Sequence, residues 1–156
     1  MKPGDRDGLK PGDELPVLSV PVTRTLIIAG ALATRDFTDV HHDPEAARAK
    51  GAPDVFMNIL TTQGLVSRFL TERLGPGARL RKLSIRLGVP NYPGDTLHFT
   101  GSITSVSEPL SESASEASEG ECVVEVAITG TNSLGRHVTG TALVNITSEP
   151  SEEAGA

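Results

Sequence analysis

The chain has 156 residues, of which 37% are hydrophobic and 22% charged, which is typical of one soluble globular domain with a single core. The net charge of −6 and the aromatic content of 3% argue against a nucleic-acid partner, which needs basic surface and stacking side chains. The single cysteine, Cys122, excludes an internal disulfide and a cysteine-based zinc cluster, and with no apolar signal peptide or membrane span we expect a cytoplasmic protein.

The first third of the chain contains one predicted strand and two short helical segments. Residues 1–12 are rich in Gly, Pro and charge and are predicted to form a flexible tail. Val17 to Ile28 is rich in Val, Thr, Leu and Ile, which predicts a strand, and Ala29 to Arg35 is predicted to be a short helical turn. Asp43-Pro44 predicts a helix start, because Asp caps free N–H groups and Pro fits the first helical position.

The longest predicted element is a helix from Val55 to Leu74, where apolar residues recur with helical periodicity. Gly64 in its middle is predicted to serve close packing. Alternating apolar and polar residues after the helix predict four antiparallel strands, around Leu83–Leu87, Leu97–Ile103, Val124–Ile128 and Val138–Ile146.

Two further segments have little apolar content. Residues 107–121 are mostly Ser and Glu and are predicted to be a disordered loop, and residues 148–156 are predicted to be an acidic tail. The folded domain is therefore predicted to cover residues 13–147. An α+β fold, with a long central helix wrapped by an antiparallel sheet, is the arrangement that buries the apolar face of this helix.

The stretch between the short helical segments holds Asp36 and, five residues later, His41. A carboxylate and an imidazole can deprotonate and position a water molecule, and each such proton transfer contributes roughly 10²–10⁴ in rate. On one helix, five residues turn through about 500°, so the two side chains would point about 140° apart. They can converge only if the segment is a folded loop. Taken alone, both residues also suit turn and loop positions without a catalytic role.

Three features together resemble the MaoC-like family of R-specific enoyl-CoA hydratases, which have the hotdog fold. The family signature Asp-x-Asn-Pro-x-His-x-Asp-Pro is matched by Asp36, His41, Asp43 and Pro44. The long helix follows this signature, and Pro93-Gly94-Asp95 resembles the family's turn between the first two strands after the helix. The chain departs from the family at Thr38-Asp39, where the family has Asn-Pro, and at Asn58, where it usually has Gly.

A narrower resemblance is to the small subunits of steroid side-chain enoyl-CoA hydratases. The runs that carry it are Ala31–Asp36, His41–Asp43, Phe56–Thr61, Gly64–Val66 and Arg86–Pro90. It implies a second MaoC-like chain as partner, in a heterodimer or heterotetramer, with a homodimer as the fallback. It also implies a CoA thioester of a degraded sterol side chain as substrate, an R-type 3-hydroxyacyl-CoA as product, and no metal or other cofactor.

Hydration of an enoyl thioester needs a group that deprotonates water, donors that stabilise the enolate oxygen, and a group that protonates the α-carbon. Asp36 and His41 are predicted to hold the water and move the protons, and the sequence leaves open which is base and which is acid. Free N–H groups at the helix start, at Asn58 and Ile59, are the predicted enolate and substrate site. The candidates for the CoA phosphates are Arg79, Arg81, Lys82 and Arg86, with a solvated strand face as an equal alternative.

Two other functions stay open, a thioesterase on the same fold and a non-catalytic subunit that completes a partner's pocket. Hotdog thioesterases often use a carboxylate on or beside the central helix, whereas Glu72, near the far end, is the only acidic residue in this one. A passive subunit has no need of Asp36 and His41. The sequence therefore favours a hydratase subunit. His42 is predicted to orient the loop, and His98 and His137 to be structural.

Overall fold

The computed structural model describes residues 8–107 and 121–147. The first part of the predicted tail, most of the predicted Ser- and Glu-rich loop and the whole acidic tail lie outside these residues, so those predictions stay predictions. In the part of the chain that the structure describes, none of the helices has the length and apolar character that a membrane crossing requires.

The described residues form five strands, three α-helices and one 3-10 turn. The strands are β1 (Glu14–Pro21), β2 (Ala78–Leu87), β3 (Thr96–Ser107), β4 (Glu121–Asn132) and β5 (Gly135–Thr147). The helices are α1 (Arg24–Ala33), α2 (Pro44–Ala49) and α3 (Ile59–Leu74), and the 3-10 turn covers Asp39–His41. The structure confirms the four strands predicted after the long helix. They could be predicted because alternation of apolar and polar residues is a strong strand signal.

The strands form one antiparallel sheet in the order β1-β3-β4-β5-β2, and α3 packs its apolar face on that sheet. The Phe69 ring of α3 stacks on the Phe99 ring of β3, with ring centres 5.9 Å apart. Gly101 makes room for this contact, because a Cβ there would lie 3.0 Å from the Phe69 ring. The predicted α+β hotdog fold is therefore confirmed.

The prediction of a strand from Val17 to Ile28 is wrong in its second half. Thr23 accepts a hydrogen bond from the Leu26 N–H and so caps α1, which begins at Arg24. The segment has β-branched residues, but as a helix it buries Ile27 completely in the core. Tertiary packing therefore overrides the local strand propensity. The short helical turn predicted for residues 29–35 is the second half of this longer helix.

The long helix begins at Ile59 rather than at Val55. Residues 55–58 precede the helix without regular structure, and most of them are buried, with Val55 0% and Met57 2% exposed. The predicted start of α2 is confirmed, because the Asp43 carboxylate accepts the N–H groups of Glu45 and Ala46 and Pro44 is the first helical residue.

The folded domain extends further towards the N-terminus than predicted. Leu9 packs against the core, and the Gly12 N–H donates to the Ile103 carbonyl at 2.8 Å. Residues 9–12, which were expected to belong to the flexible tail, are thus attached to the folded domain by an apolar contact with the core and a backbone hydrogen bond to β3.

Candidate active site

The backbone of Asp36 is fixed by the end of α1. The Arg35 N–H donates to the Leu32 carbonyl at 3.1 Å, and the Asp36 N–H donates to the Ala31 carbonyl at 2.9 Å. These two bonds form a Schellman motif, which needs a left-handed residue after the helix cap. Arg35 has φ 56°, and it is the one non-glycine residue with positive φ in the described chain. The helix end therefore determines where the Asp36 side chain leaves the backbone.

The ring of His41 is fixed by the segment before α3. His41 is 8% exposed, and its Nδ1 lies 2.7 Å from the Phe56 carbonyl oxygen. A carbonyl oxygen only accepts, so Nδ1 carries the hydrogen of the neutral ring and Nε2 is the free acceptor. The Phe56 ring meets the imidazole edge to face, with centres 5.0 Å apart. Tautomer and ring orientation are therefore both determined by Phe56.

The 3-10 turn brings the two predicted residues together, with Asp36 Oδ2 3.4 Å from His41 Nε2. An ionised carboxylate accepts hydrogen bonds only, and Nε2 of this tautomer is also an acceptor. Two acceptors that face each other are suited to bind a molecule with two donor hydrogens, such as water. The folded loop that the spacing demanded is thus present, and the catalytic role of the pair stays a prediction.

The Asp36 carboxylate is surrounded by hydrogen-bond donors. Oδ1 accepts the Thr38 hydroxyl at 2.7 Å and the Thr38 N–H at 3.3 Å, and Oδ2 accepts the Asn58 amide at 3.0 Å. The Thr38 hydroxyl and then the Asn58 amide hold the pKa of Asp36 below its usual value, against an opposing contribution from burial. Donors to the charged form therefore favour the ionised carboxylate.

The start of α3 presents unused N–H groups beside this pair. Asn58 is the N-cap residue, and its Oδ1 accepts the Thr61 N–H at 2.9 Å. The N–H groups of Asn58, Ile59 and Leu60 have no acceptor among the described residues. They lie at the positive end of the helix dipole, where a developing negative charge is stabilised. The free donors predicted at Asn58 and Ile59 are thus present, Leu60 joins them, and their role in binding stays a prediction.

The loop between β2 and β3 supports the segment that carries these donors. The Met57 N–H donates to the Asn91 carbonyl at 3.0 Å, and Asn91 is completely buried. The Asn132 amide donates to Asn91 Oδ1 at 3.0 Å, and the Tyr92 ring meets the Phe56 ring at 6.2 Å. The Pro-Gly-Asp turn noted in the sequence therefore ends a loop whose first part holds the entry to α3.

The four cationic candidates for CoA binding lie on β2, at the edge of the sheet. All four are exposed, and none forms an ion pair with another described residue. Arg86 lines an open depression together with Gly88 and Arg136. Contact of Arg79, Arg81, Lys82 or Arg86 with CoA stays a prediction.

The other three histidines have structural partners. His42 Nε2 lies 3.1 Å from the Phe37 carbonyl, as expected of a residue that orients the loop. His98 Nδ1 lies 2.8 Å from the Ser19 hydroxyl across β1 and β3. His137 is 1% exposed, and its two ring nitrogens contact the Val89 carbonyl and the Thr62 hydroxyl.

Sequence reasoning missed Thr38 and the side chain of Asn58 as partners of Asp36. An Asp whose carboxylate accepts the N–H two residues later forms an Asx turn, so Asp36-Phe37-Thr38 held a usable signal for Thr38. The Asn58 contact had no such signal, because it spans 22 residues.

The chain is similar to known proteins in sequence and in fold. No protein-family model matches the chain. The beta subunit of 3-oxo-4,17-pregnadiene-20-carboxyl-CoA hydratase from Mycobacterium tuberculosis is 44% identical over 130 residues, which cover 83% of this chain and 91% of that protein. A chain of the ChsH1-ChsH2 complex from M. tuberculosis superposes with a TM-score of 0.75 at 41% identity, over 88% of this chain and 98% of that one.

More distant structures share the fold. The (R)-hydratase from A. caviae, involved in PHA biosynthesis, superposes with a TM-score of 0.73 at 22% identity, over 88% of this chain and 96% of that one. The MaoC-like dehydratase from Rhodospirillum rubrum gives 0.75 at 22% identity, over 93% and 97% of the two chains. The chain therefore belongs to the MaoC-like hydratase family of hotdog proteins. Within this family, it is similar to the beta subunit of 3-oxo-4,17-pregnadiene-20-carboxyl-CoA hydratase.

Proposed function

We propose that this chain is the catalytic subunit of an enoyl-CoA hydratase, which adds water to the α,β double bond of a CoA thioester. The observation that carries the proposal is the Asp36–His41 pair, with Oδ2 and Nε2 3.4 Å apart. Thr38 and Asn58 supply donors to the carboxylate, and the Nδ1 hydrogen of His41 is engaged by Phe56. His41 Nε2 and the remaining lone pair of Asp36 Oδ2 can then accept the two hydrogens of one water.

In this proposal His41 moves the proton and Asp36 stays ionised. Water donates to Asp36 Oδ2 and His41 Nε2, and Nε2 takes one proton as the water oxygen bonds to the β-carbon. The electrons of the double bond move to the thioester oxygen, where the N–H groups of Ile59 and Leu60 stabilise the enolate. The imidazolium then gives its proton to the α-carbon. One water has been added, and His41 is neutral again.

A steroid side-chain substrate and a second MaoC-like subunit are part of the same proposal. The name of the 44% identical relative and the complex that contains the 41% identical chain support both. Exposed apolar side chains near the site, at Leu32, Phe37, Ile59 and Leu60, offer surface that a bulky acyl group and a partner can cover. A homodimer is the fallback. The cations of β2, together with Arg136 beside Arg86, are the proposed contacts of the CoA phosphates.

A thioesterase on this fold has less support. The one acidic residue in α3, Glu72, lies in the last turns of the helix and accepts a 2.7 Å hydrogen bond from Arg68. It is therefore far along the helix from Asn58 and is already paired on the surface. Asp36 lies beside the helix start, but its carboxylate faces the His41 ring and does not stand alone.

Substitution of the pair tests the proposal. We expect Asp36→Asn and His41→Ala each to lower kcat by at least about 100-fold, because each removes one of the two groups that hold or deprotonate water. The assay measures hydration of a steroid-derived enoyl-CoA and of crotonyl-CoA, by the chain alone and by the chain co-expressed with its MaoC-like partner. Thermal unfolding checks that the variants are folded.

Matched controls separate chemistry from damage to the loop. Asp39→Asn removes an exposed carboxylate of the same turn, whose ion-pair partner Lys50 is 3.8 Å away, and His98→Ala removes an exposed histidine of β3. Both are expected to keep wild-type rates. Rates within tenfold of wild type for Asp36→Asn and His41→Ala would overturn the catalytic assignment and leave a pocket-completing subunit. Light scattering on the two preparations reports whether the partner binds.

A further inference from the structure

The side chain of Asn58 joins the two halves of the site. Its Oδ1 accepts the Thr61 N–H, and its Nδ2 donates to Asp36 Oδ2 and to Thr34 Oγ1, both at 3.0 Å. The residue is 3% exposed, so these bonds form away from solvent. One buried amide thus connects the first turn of α3, the residue that caps the end of α1, and the carboxylate that faces His41.

The direction of each bond in this network is determined. The Thr61 N–H only donates, so the amide oxygen faces it and the NH₂ group faces Asp36. The Thr34 hydroxyl donates its own hydrogen to the Gly30 carbonyl at 2.7 Å, so it accepts from Asn58. Every donor therefore points towards an oxygen that accepts, and the chain of bonds ends at the Asp36 carboxylate, which only accepts.

We propose that Asn58 is a positioning residue, which holds Asp36 Oδ2 against His41 Nε2 and ties that carboxylate to the N-terminus of α3. This inference rests on the proposed hydratase function. The amide is the second largest cause of the lowered pKa of Asp36, after the Thr38 hydroxyl. Thr38 engages Oδ1, so Asn58 is the donor that engages the oxygen on the His41 side.

Besides His41, no charged side chain in residues 8–107 and 121–147 acts on the Asp36 carboxylate. The end of α1 presents the uncharged Thr34 to this network, and α3 is joined to it through the uncharged cap residue Asn58. Loss of the amide donor is therefore expected to appear directly in the titration of Asp36.

Two substitutions keep the helix cap and change only the amide. Asn58→Asp has nearly the same shape and still accepts the Thr61 N–H, but it places a second carboxylate oxygen beside Asp36 Oδ2. Two carboxylates at such a distance cannot both be ionised easily, so the pKa of one of them rises strongly. Asn58→Ser also caps the helix but has no NH₂ group, so it removes the donor without adding charge. Thr23→Ala, which removes the corresponding cap of α1, is the control for stability.

We expect Asn58→Asp to lower kcat by about 100-fold near neutral pH and Asn58→Ser by about tenfold, each with a KM change below about threefold. In both variants the loss of activity on acidification begins at higher pH than in the wild type, because Asp36 becomes protonated earlier. Thr23→Ala is expected to unfold at lower temperature and to keep the wild-type pH profile. The kinetic measurements use the full chain in complex with its proposed MaoC-like partner.

A second readout is independent of catalysis. The carboxyl carbon signal of Asp36, identified by its loss in Asp36→Asn, is titrated by NMR in the wild type and in Asn58→Ser. We expect a higher midpoint in the variant, whether or not the protein hydrates enoyl thioesters. Inactivity of the wild type would thus count against the proposed function alone. An unchanged midpoint and an unchanged pH profile, even with lower activity, would make Asn58 a helix cap only and overturn the inference.

Discussion

Asp36 and His41 are each fixed by the backbone of a different local motif, and side chains then align them. The Schellman motif directs Asp36 out of α1, and the 3-10 turn returns the chain so that His41 faces it. Thr38 lies between the two and donates twice to the carboxylate. The family's usual Asn-Pro is absent from this loop, and Thr38 shows by which other contacts the loop keeps its shape.

His137 is a buried histidine whose titration should appear in the stability of the protein. Its Nδ1 hydrogen is donated to the Val89 carbonyl at 2.8 Å, and its Nε2 accepts the Thr62 hydroxyl at 2.9 Å. Burial lowers the pKa of His137, because the charged ring would lose its hydration. The folded state thus favours the neutral ring. Its contribution to stability is complete above about pH 6.5, the pKa of an unfolded histidine, and is lost as the pH falls towards the folded pKa.

We therefore expect the free energy of unfolding to fall between pH 7 and pH 5, and this dependence to be weaker in His137→Leu. The free energy of unfolding of this variant is also expected to be about 1–3 kcal/mol lower than that of the wild type at pH 8, because the Val89 carbonyl is left without its donor. Urea unfolding at several pH values measures both effects. Thr62→Val is the matched control, since it removes the hydroxyl contacts to the ring at 2.9 Å and to the Asn58 carbonyl at 3.3 Å but leaves the ring buried and so keeps the pH dependence. An equal pH dependence in wild type and His137→Leu would contradict the assignment.

At the level of elements, the two helical glycines have opposite surroundings. Gly64 in α3 was expected to serve close packing, but a Cβ there would meet no atom within 4 Å, so that explanation is wrong for this chain. Gly30 in α1 is the closely packed one, because a Cβ there would lie 2.3 Å from Thr61 Oγ1. The contact between α1 and α3 at this point also brings Thr34 within reach of Asn58.

We expect Gly64→Ala to raise the free energy of unfolding of the isolated chain by about 0.5–1 kcal/mol, because alanine restricts the unfolded backbone and favours the helix. Gly30→Ala is the matched variant, and it is expected to lower the free energy of unfolding by about 1–3 kcal/mol because the added methyl group overpacks against Thr61. Urea unfolding of the three proteins is the measurement. Destabilisation by Gly64→Ala would mean that a second copy of the chain packs on this face of α3.

Elements with strong local signals could be predicted from the sequence, and α1 could not. Asp43-Pro44 marks the start of α2 through a cap and a fixed φ, and alternation marks the four later strands. Leu26-Ile27-Ile28 has the composition of a strand, yet the burial of Ile27 as part of a helix decides its structure. That preference arises from the assembled core, which a local pattern does not contain.

The same distinction applies to the site. Asp36 and His41 could be found because their spacing matches a known signature, and the N–H groups at the start of α3 because any helix leaves its first donors free. The hydrogen bond between Asn58 and Asp36 could not be found from the sequence, because it forms only where α1 and α3 pack together. Sequence reasoning therefore identified the reacting groups, whereas the group that aligns them required the tertiary structure.

On the scale of the whole molecule, the two edges of the sheet differ. At the β1 edge, the Arg73 guanidinium donates to the carbonyls of Pro16 and Val17, at 2.8 and 2.9 Å, and so covers part of the strand. At the β2 edge, cationic side chains alternate with partly buried apolar ones. Charged residues on an edge strand oppose indiscriminate pairing with other strands. A partner that approaches β2 must therefore tolerate or match this positive charge.

Most of the exposed large apolar side chains lie close in sequence to the site residues. Of the six exposed large hydrophobic side chains in the described residues, four lie within four residues of Asp36 or Asn58 in the sequence. Phe37, directly after Asp36, is 64% exposed. Val17, on β1, is 53% exposed and lies outside this group. A patch of this kind marks a binding surface, and a bulky acyl group would cover more of it than a short one.

We expect Phe37→Ser to lower kcat/KM for a steroid-derived enoyl-CoA at least about tenfold, because covering a phenylalanine ring contributes about 1.5–3 kcal/mol. For crotonyl-CoA the decrease is expected to stay below about threefold, since a four-carbon acyl chain leaves most of the ring uncovered. Val17→Ser is the matched control and is expected to change neither value. The kinetics are measured on the complex, with light scattering to show that it stays assembled. Equal losses on both substrates would mean that Phe37 acts through the position of Asp36, and the acyl group would then have to bind elsewhere.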